Sequence, residues 1–390
     1  MRSRVLLVSV VGAVSFGCRA DSLTAPESPA AAATTASTLA FYQVSLGRGH
    51  TCGVTFDNRA YCWGGNADGE LGDGTTNSRD GPVPVATTLR FRQISAGALS
   101  TCAVTTDYRL YCWGFNEMGQ LGDGTTVTRL RPVVVTGGRQ FRQVEIGFEH
   151  ACGVTYQGNR AYCWGYNRYG QLGIGTNTGP EFGPFGEGPF SSKPLAVLGG
   201  LTFRQVTAGD THNCGVTTDN RAFCWGYNRY GQVGDSSGGW FKFRPARVAG
   251  GQQYRQIDAG YDHTCAATTG YRAFCWGRGV VGELGNGTMH MSRWPTPVSG
   301  GLSLERVTAG SFFTCAESTT NRGYCWGWNW YGQLGDGTQI DRATPVAVVG
   351  GLFFSQLSAG SSWACGRTPA GAAYCWGGGN LTPIPAPGPS

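Results

Sequence analysis

Hydrophobic and polar positions along this chain fall into short strand-like pieces separated by turn residues, and residues 91 to 138 show one complete set. The pieces are Phe91-Arg92-Gln93-Ile94-Ser95, Thr101 to Thr105, Arg109 to Trp113, and Pro132 to Val135. Bounded by Gly, Asn, Asp and Thr, they predict four β-strands. The third piece alternates by size. In the first copy Arg59, Tyr61 and Trp63 share one face while Ala60, Cys62 and Gly64 share the other, because successive strand side chains point to opposite faces. A bulky face on one sheet can then fill the shallow face of the next and reach native packing density.

The pattern repeats seven times. First cysteines stand at Cys52, Cys102, Cys152, Cys214, Cys265, Cys315 and Cys365, and second cysteines at Cys62, Cys112, Cys163, Cys224, Cys275, Cys325 and Cys375, each followed directly by tryptophan. Such periodicity must be assigned before any other feature. Seven four-stranded antiparallel sheets in a row predict an all-β, seven-bladed β-propeller, which limits exposed edges by radial repetition. Three links in each unit are short and read as hairpins, and only the third-to-fourth link is long. The expected sheet order is therefore fourth, first, second, third, with the fourth strand supplied by the preceding unit. On that order the C-terminal Thr382 to Pro387 pairs into the first blade and closes the ring.

The long link carries Cys-Trp-Gly-x-Asn-x-x-Gly-Gln-Leu-Gly-Asp-Gly-Thr, as at residues 112 to 125. With first-strand units such as Phe91 to Gly97, it resembles the regulator of chromosome condensation repeat family over roughly residues 41 to 388. The resemblance implies a seven-bladed propeller with an offset between sequence unit and blade. It implies no single function, since relatives include nuclear exchange factors for a small GTPase and a secreted inhibitor that binds enzymes through a propeller face.

Paired cysteines on adjacent strands predict seven disulfides, Cys52–Cys62, Cys102–Cys112, Cys152–Cys163, Cys214–Cys224, Cys265–Cys275, Cys315–Cys325 and Cys365–Cys375, against the alternative of buried free thiols. With the cysteines opposed, the hairpin loop is Phe56-Asp57-Asn58, and its third residue needs positive φ. Asn58, Asn220, Asn321 and Gly371 suit that position, while Tyr108 and Tyr271 do not favour it. The third unit spaces its cysteines one residue further apart and lengthens its loop by one, so the opposition is kept.

Composition removes several classes. The 390 residues include 64 Gly and 15 Cys, with 12% aromatic and 14% charged residues, too glycine-rich for a helical bundle and too aromatic for a disordered chain. The net charge of +6 is spread without a basic block, so no nucleic-acid partner is expected. Residues 1–18 read as a signal peptide, basic at Met1 to Arg4 and apolar from Val5 to Gly17, and Ser15-Phe16-Gly17-Cys18 resembles the lipobox of bacterial lipoproteins, with Cys18 the lipidated residue. Residues 19–38 read as an Ala/Ser/Thr/Pro tether, and 39–390 as the propeller. The location predicted is the cell envelope as a lipoprotein, or secretion.

His50, His150, His212 and His263 each precede a cysteine by two positions, but Ser100, Phe313 and Trp363 replace them in other units. A hydrogen-bonded packing role therefore fits better than zinc, and no metal or cofactor is expected. Gly72-Asp73-Gly74-Thr75 reads as a tight turn rather than a phosphate or calcium loop. With no catalytic motif visible, the chain is read as a monomeric, non-catalytic protein-binding propeller. Its candidate contacts are Tyr166, Arg168, Tyr169, Tyr227, Arg229, Tyr230, Trp328, Trp330 and Tyr331, residue types that binding hot spots favour. The long connector Ile174 to Lys193, with Phe182, Phe185 and Phe190, and Trp240, Phe241 and Phe243 in the next unit form a second candidate patch. Alternative readings are a glycan-binding, lectin-like propeller and, by family analogy, a guanine-nucleotide exchange factor.

Overall fold

A computed structural model describes residues 39–182 and 188–388. The signal peptide, Cys18, the 19–38 tether and Phe185 lie outside the described residues. Seven antiparallel sheets follow one another, and the first contains Phe41–Leu46, His50–Thr55, Ala60–Gly64 and Arg79–Pro84 in that spatial order. Blade three adds a short outer strand, Glu181–Phe182. The seven-bladed, all-β architecture is the one the repeat predicts.

Strand order within a blade differs from expectation. Each fourth strand pairs with the third strand of its own unit, so the sheet runs first to fourth in chain order. Correspondingly, Asn380–Pro385 pairs with Ala373–Gly377 in the last blade and does not complete the first. The physical reason lies in the two links. The long loop is wound tightly on itself and returns the chain to the same sheet edge. The short link, Gly137-Gly138 between blades two and three, passes from one blade's outer strand to the next blade's inner strand, where Phe141 N–H bonds the Tyr108 carbonyl at 2.8 Å.

The hairpin between second and third strands behaves as its sequence requires. All seven cysteine pairs are directly opposed, including Cys152 with Cys163, and all seven are bonded. Asn58, Asn220, Asn321 and Gly371 take positive φ, and Tyr108 and Tyr271 are held there too, at 67° and 61°. Guanidinium groups over the rings, Arg92 on Tyr108 and Arg255 on Tyr271, accompany this unfavourable conformation.

Large faces small between blades. Cys52, Val54, Ala60, Cys62 and Leu71 of blade one form one core with Phe91, Ile94 and Trp113 of blade two. The long loop of blade one lies flat on this indole: Trp113 Nε1 donates to the Glu70 carbonyl at 2.8 Å. A Cβ on Gly72, whose φ is +67°, would come within 2.6 Å of the same nitrogen, so no other residue fits there. Five more seams repeat the indole-to-carbonyl bond, from Trp164, Trp225, Trp276, Trp326 and Trp376.

The first strands surround the central channel and are stitched by side chains. Gln43 donates to the Ile94 carbonyl and accepts from the Ile94 N–H, both at 3.0 Å. Gln93, Gln143, Gln205, Gln256 and Gln356 make the same two-way clasp to the next blade. Gln356 joins blade seven to Val44 of blade one, so the inner ring is closed by side-chain amides rather than by an exchanged strand.

Candidate functional site

The first-to-second strand turns and the long loops emerge on one face, and the cysteine-stapled hairpins on the other. One asparagine organises each regular long loop. Asn66 Oδ1 accepts from Leu71 N–H at 2.9 Å, while its Nδ2 donates to the Thr75 and Asn77 carbonyls, each at 3.0 Å. Asp73 caps Thr75 N–H at 2.9 Å and pairs with Arg79 at 3.0 Å. Hydrogen bonds and that pairing hold its carboxyl below the ordinary aspartate range, although burial opposes them. Asn116 with Asp123 and Asn329 with Asp336 repeat the arrangement. These polar residues are thus engaged in holding a turn, and what varies between loops is presented outward on a rigid frame.

The candidate residues divide into two groups on this face. Tyr166 meets Tyr169 edge-on at 6.0 Å, and Tyr169 crosses to blade four, 5.3 Å from Tyr227 and stacked on Phe241 at 6.0 Å. Phe241 continues to Phe243 at 6.1 Å, and the Arg229 guanidinium lies over Tyr230 and Trp240. The second group is Trp328 with Tyr331 at 5.4 Å and Phe312 at 5.9 Å, Phe312 also meeting Tyr261 and the guanidinium of Arg278. Tyr166, Tyr169, Tyr227, Tyr230 and Trp328 are half-buried, so they cover the neighbouring blade and present an edge to solvent. Arg168, Arg229, Trp330 and Tyr331 are exposed. The two patches expected around blades three and four form one cluster through Tyr169 and Phe241, while Phe190 is buried.

Further apolar groups join them. Phe182 and Trp330 are each 69% exposed and Trp240 60%, and Val280, Met289, Met291 and Ile340 in the blade-five and blade-six loops are also open to solvent. Met289 and Met291 carry no periodic signal in the sequence, being isolated methionines in a turn-rich loop. Their signal is position, since they occur where other units have polar residues.

The channel mouth on this face carries Arg48, Asp210 and Tyr261. Burial raises Asp210 to about 7, offset in part by Arg48, and raises Asp262 to about 6. Deeper, burial and the nearby Asp258 raise Glu145 to about 8, and burial raises Glu317 to about 7. The repeat histidines are inter-blade ties. His50 Nε2 meets Thr101 Oγ1 at 2.8 Å, and that hydroxyl donates to the Glu70 carbonyl at 2.9 Å. The threonine hydrogen being used, the histidine is the donor and the neutral Nε2–H tautomer follows. Burial holds His50 and His150 down at about 4.

Comparison with known proteins places this geometry. The regulator of chromosome condensation (RCC1) repeat matches residues 57–104, 107–154, 159–216, 219–267, 272–316 and 322–366. A second description of the repeat matches from 41–70 to 254–283. The probable E3 ubiquitin-protein ligase HERC4 of Homo sapiens is 34% identical over 134 residues, which are 34% of this chain and 12% of that protein. The ultraviolet-B receptor UVR8 of Arabidopsis thaliana is 32% identical over 128 residues, 32% of this chain and 27% of the receptor. The chain therefore spans only a minor part of these relatives. Among solved structures, human WBSCR16 superposes with a TM-score of 0.72 at 22% identity, covering 82% of this chain and 84% of that one. Prp20p of Saccharomyces cerevisiae, studied with Gsp1p and histones, gives 0.70 at 20% identity, covering 82% and 80%. At these identities the structural likeness shows the fold. The chain belongs to the RCC1 repeat family.

Proposed function

We propose that this member of the RCC1 repeat family is an exported, non-catalytic propeller that captures a protein partner on the long-loop face of blades three to six. One observation carries the reading: exposed large apolar side chains, Phe182, Trp240, Phe241, Val280, Met289, Met291, Trp330, Tyr331 and Ile340, gather in the long loops of four successive blades. Aromatic, methionine and arginine side chains are what protein interfaces concentrate, and a large apolar patch on one face marks an interaction site. Lectin-like pockets would repeat from blade to blade, whereas these loops differ from each other, which favours a protein over a glycan. Tyr166, Arg168, Tyr169, Tyr227, Arg229 and Tyr230 supply the central contacts, and Trp328, Trp330 and Tyr331 the flank.

Seven disulfides fit an oxidising compartment. Residues 1–18 serve as the export signal in this reading, Cys18 as the lipid anchor, and 19–38 as a tether. The test is capture from envelope and culture extracts by the full chain and by a variant with alanine at Tyr169, Tyr227, Phe241 and Trp330, with free glycans as competitors. A protein retained by the parent and lost by the variant is expected. Release by a simple sugar, or equal retention by both, contradicts the reading.

A further inference from the structure

Six seams between blades are covered by a long loop of the preceding blade, and the seventh, from blade seven to blade one, is not. Blade seven turns directly from Gly377 into its fourth strand at Asn380. At each regular seam the covering segment makes the same three contacts, and at five of the six, all but the one covered by blade four, where Ser236 replaces the second glycine, a fourth. A carbonyl accepts from the tryptophan Nε1, as Glu70 does from Trp113 at 2.8 Å. In three of the seams that carbonyl also accepts from a threonine hydroxyl, Thr101, Thr264 or Thr314. The next side chain, Leu71, Leu121, Leu172, Val233, Leu284 or Leu334, is fully buried. The following glycine lies on the indole, and the second glycine beyond it donates its N–H to the neighbour's fourth strand, as Gly74 does to the Leu130 carbonyl at 2.9 Å.

The matching groups stand at the seventh seam around a cleft of about 250 Å³. Its walls include Thr51, Trp63, Trp363 and Trp376, with Asp80 of the fourth strand at its rim. Neither Trp63 Nε1 nor Thr51 Oγ1 has a hydrogen-bond partner among the described residues, and Trp363 Nε1 is buried without one. Trp63 is 7% exposed, whereas the six other repeat tryptophans are fully buried. The wall is thus a set of N–H and O–H donors around an apolar hole, complementary to a carbonyl followed by an aliphatic side chain.

We infer that this cleft is a second recognition site, which takes a segment of a partner protein of the type Gln-Leu-Gly-Asp-Gly in the conformation the chain's own loops adopt. The partner's glutamine carbonyl accepts from Trp63 and Thr51, its leucine fills the hole, its first glycine lies on the indole, and its last N–H reaches the Asp80 carbonyl. The occupant is specified by the chain's own loops, which show the carbonyl, aliphatic and glycine contacts six times and the terminal N–H contact five times. The site is independent of the aromatic face.

The probe is a synthetic peptide copying residues 116–125, Asn-Glu-Met-Gly-Gln-Leu-Gly-Asp-Gly-Thr, titrated into the full chain. Indole N–H resonances are followed by NMR, with the Trp63 signal assigned from Trp63→Phe. A short unconstrained peptide must be ordered on binding, so a Kd on the order of 0.1–1 mM is expected. The Trp63 signal should move to the hydrogen-bonded range. Replacing the peptide's leucine by alanine should weaken binding about tenfold or more, and Thr51→Val should weaken it about three- to tenfold with the fold intact. A variant with alanine at Tyr169, Tyr227 and Phe241 should bind the peptide unchanged, which separates this site from the loop face. An unmoved Trp63 signal at millimolar peptide, or equal binding of the alanine peptide, overturns the inference.

Discussion

The seam between blades one and two and the seam between blades seven and one share their tryptophan, threonine and glutamine positions and differ by one loop and by Trp363 in the place of His50. At the first, Leu71, Gly72 and the Glu70 carbonyl seal Trp113 in a core of twelve buried residues. At the second, the buried core shrinks to Phe41, Val44, Trp63 and Ala373, with Trp63 partly open. The inner stitches are equal in both, Gln43 to Ile94 and Gln356 to Val44. The lesson is that ring closure here rests on the channel-side amides, while the outer half of the closing seam is covered by no long loop among the described residues.

The largest expected effect comes from the tryptophans themselves. Trp113→Ala should cost about 3–5 kcal/mol in denaturant unfolding, as expected for emptying a packed aromatic site. Trp63→Ala should cost less, since Trp63 has neither the loop cover nor the carbonyl hydrogen bond that Trp113 loses. Equal losses would erase the distinction between the seams. Removing one disulfide serves as the control. Cys52–Cys62 and Cys214–Cys224 both span ten residues of separation, so replacing either pair by alanine should cost a similar amount, about 2–3 kcal/mol. A clear difference would place the weakness in blade one rather than at its seam.

Smaller still is the loss of one amide clasp. Gln356→Ala and Gln205→Ala each remove two hydrogen bonds, worth about 1–2 kcal/mol together. Hydrogen exchange should nevertheless separate them. The closing seam has less cover, so Gln356→Ala should speed exchange in strands Phe41–Leu46 and Gln356–Ala359, whereas Gln205→Ala stays local.

Legibility in the sequence followed the same division. Cysteine opposition, the positive-φ hairpin position and the large-to-small fit of Trp113 on Cys62 and Ala60 were readable because each depends on neighbours fixed by spacing. The strand order was not. A fourteen-residue loop between third and fourth strands suggests a crossover until Asn66 is seen to wind it back on itself. Nor did Gln43 or Gln356 announce a structural role, since a polar strand residue reads the same whether it faces water or the edge of a neighbouring strand. The aromatic candidates were legible as departures from the repeat, but their joining through Tyr169 and Phe241 depends on how one blade's loop overlies the next.

A further effect is electrostatic and depends on pH. Burial raises Glu145 to about 8, so the folded chain holds this proton more tightly than the unfolded chain. Its contribution is therefore full below the ordinary glutamate value and declines as pH rises through about 8. His50 and His150, held near 4, act oppositely, and their contribution falls as pH drops below the ordinary histidine value of 6.5. Glu145→Gln should leave Tm at pH 5 nearly unchanged and raise it at pH 8.5. An equal shift at both values would contradict burial of a protonated carboxyl in the channel.

Binding by the long-loop face is tested most directly by hydrogen exchange of the full chain, alone and bound to the protein captured from extracts. Protection is predicted in residues 166–182, 227–243, 278–291 and 328–341, with the hairpins at 56–59 and 106–109 unchanged. Protection confined to those hairpins, or spread evenly around the ring, would contradict the account.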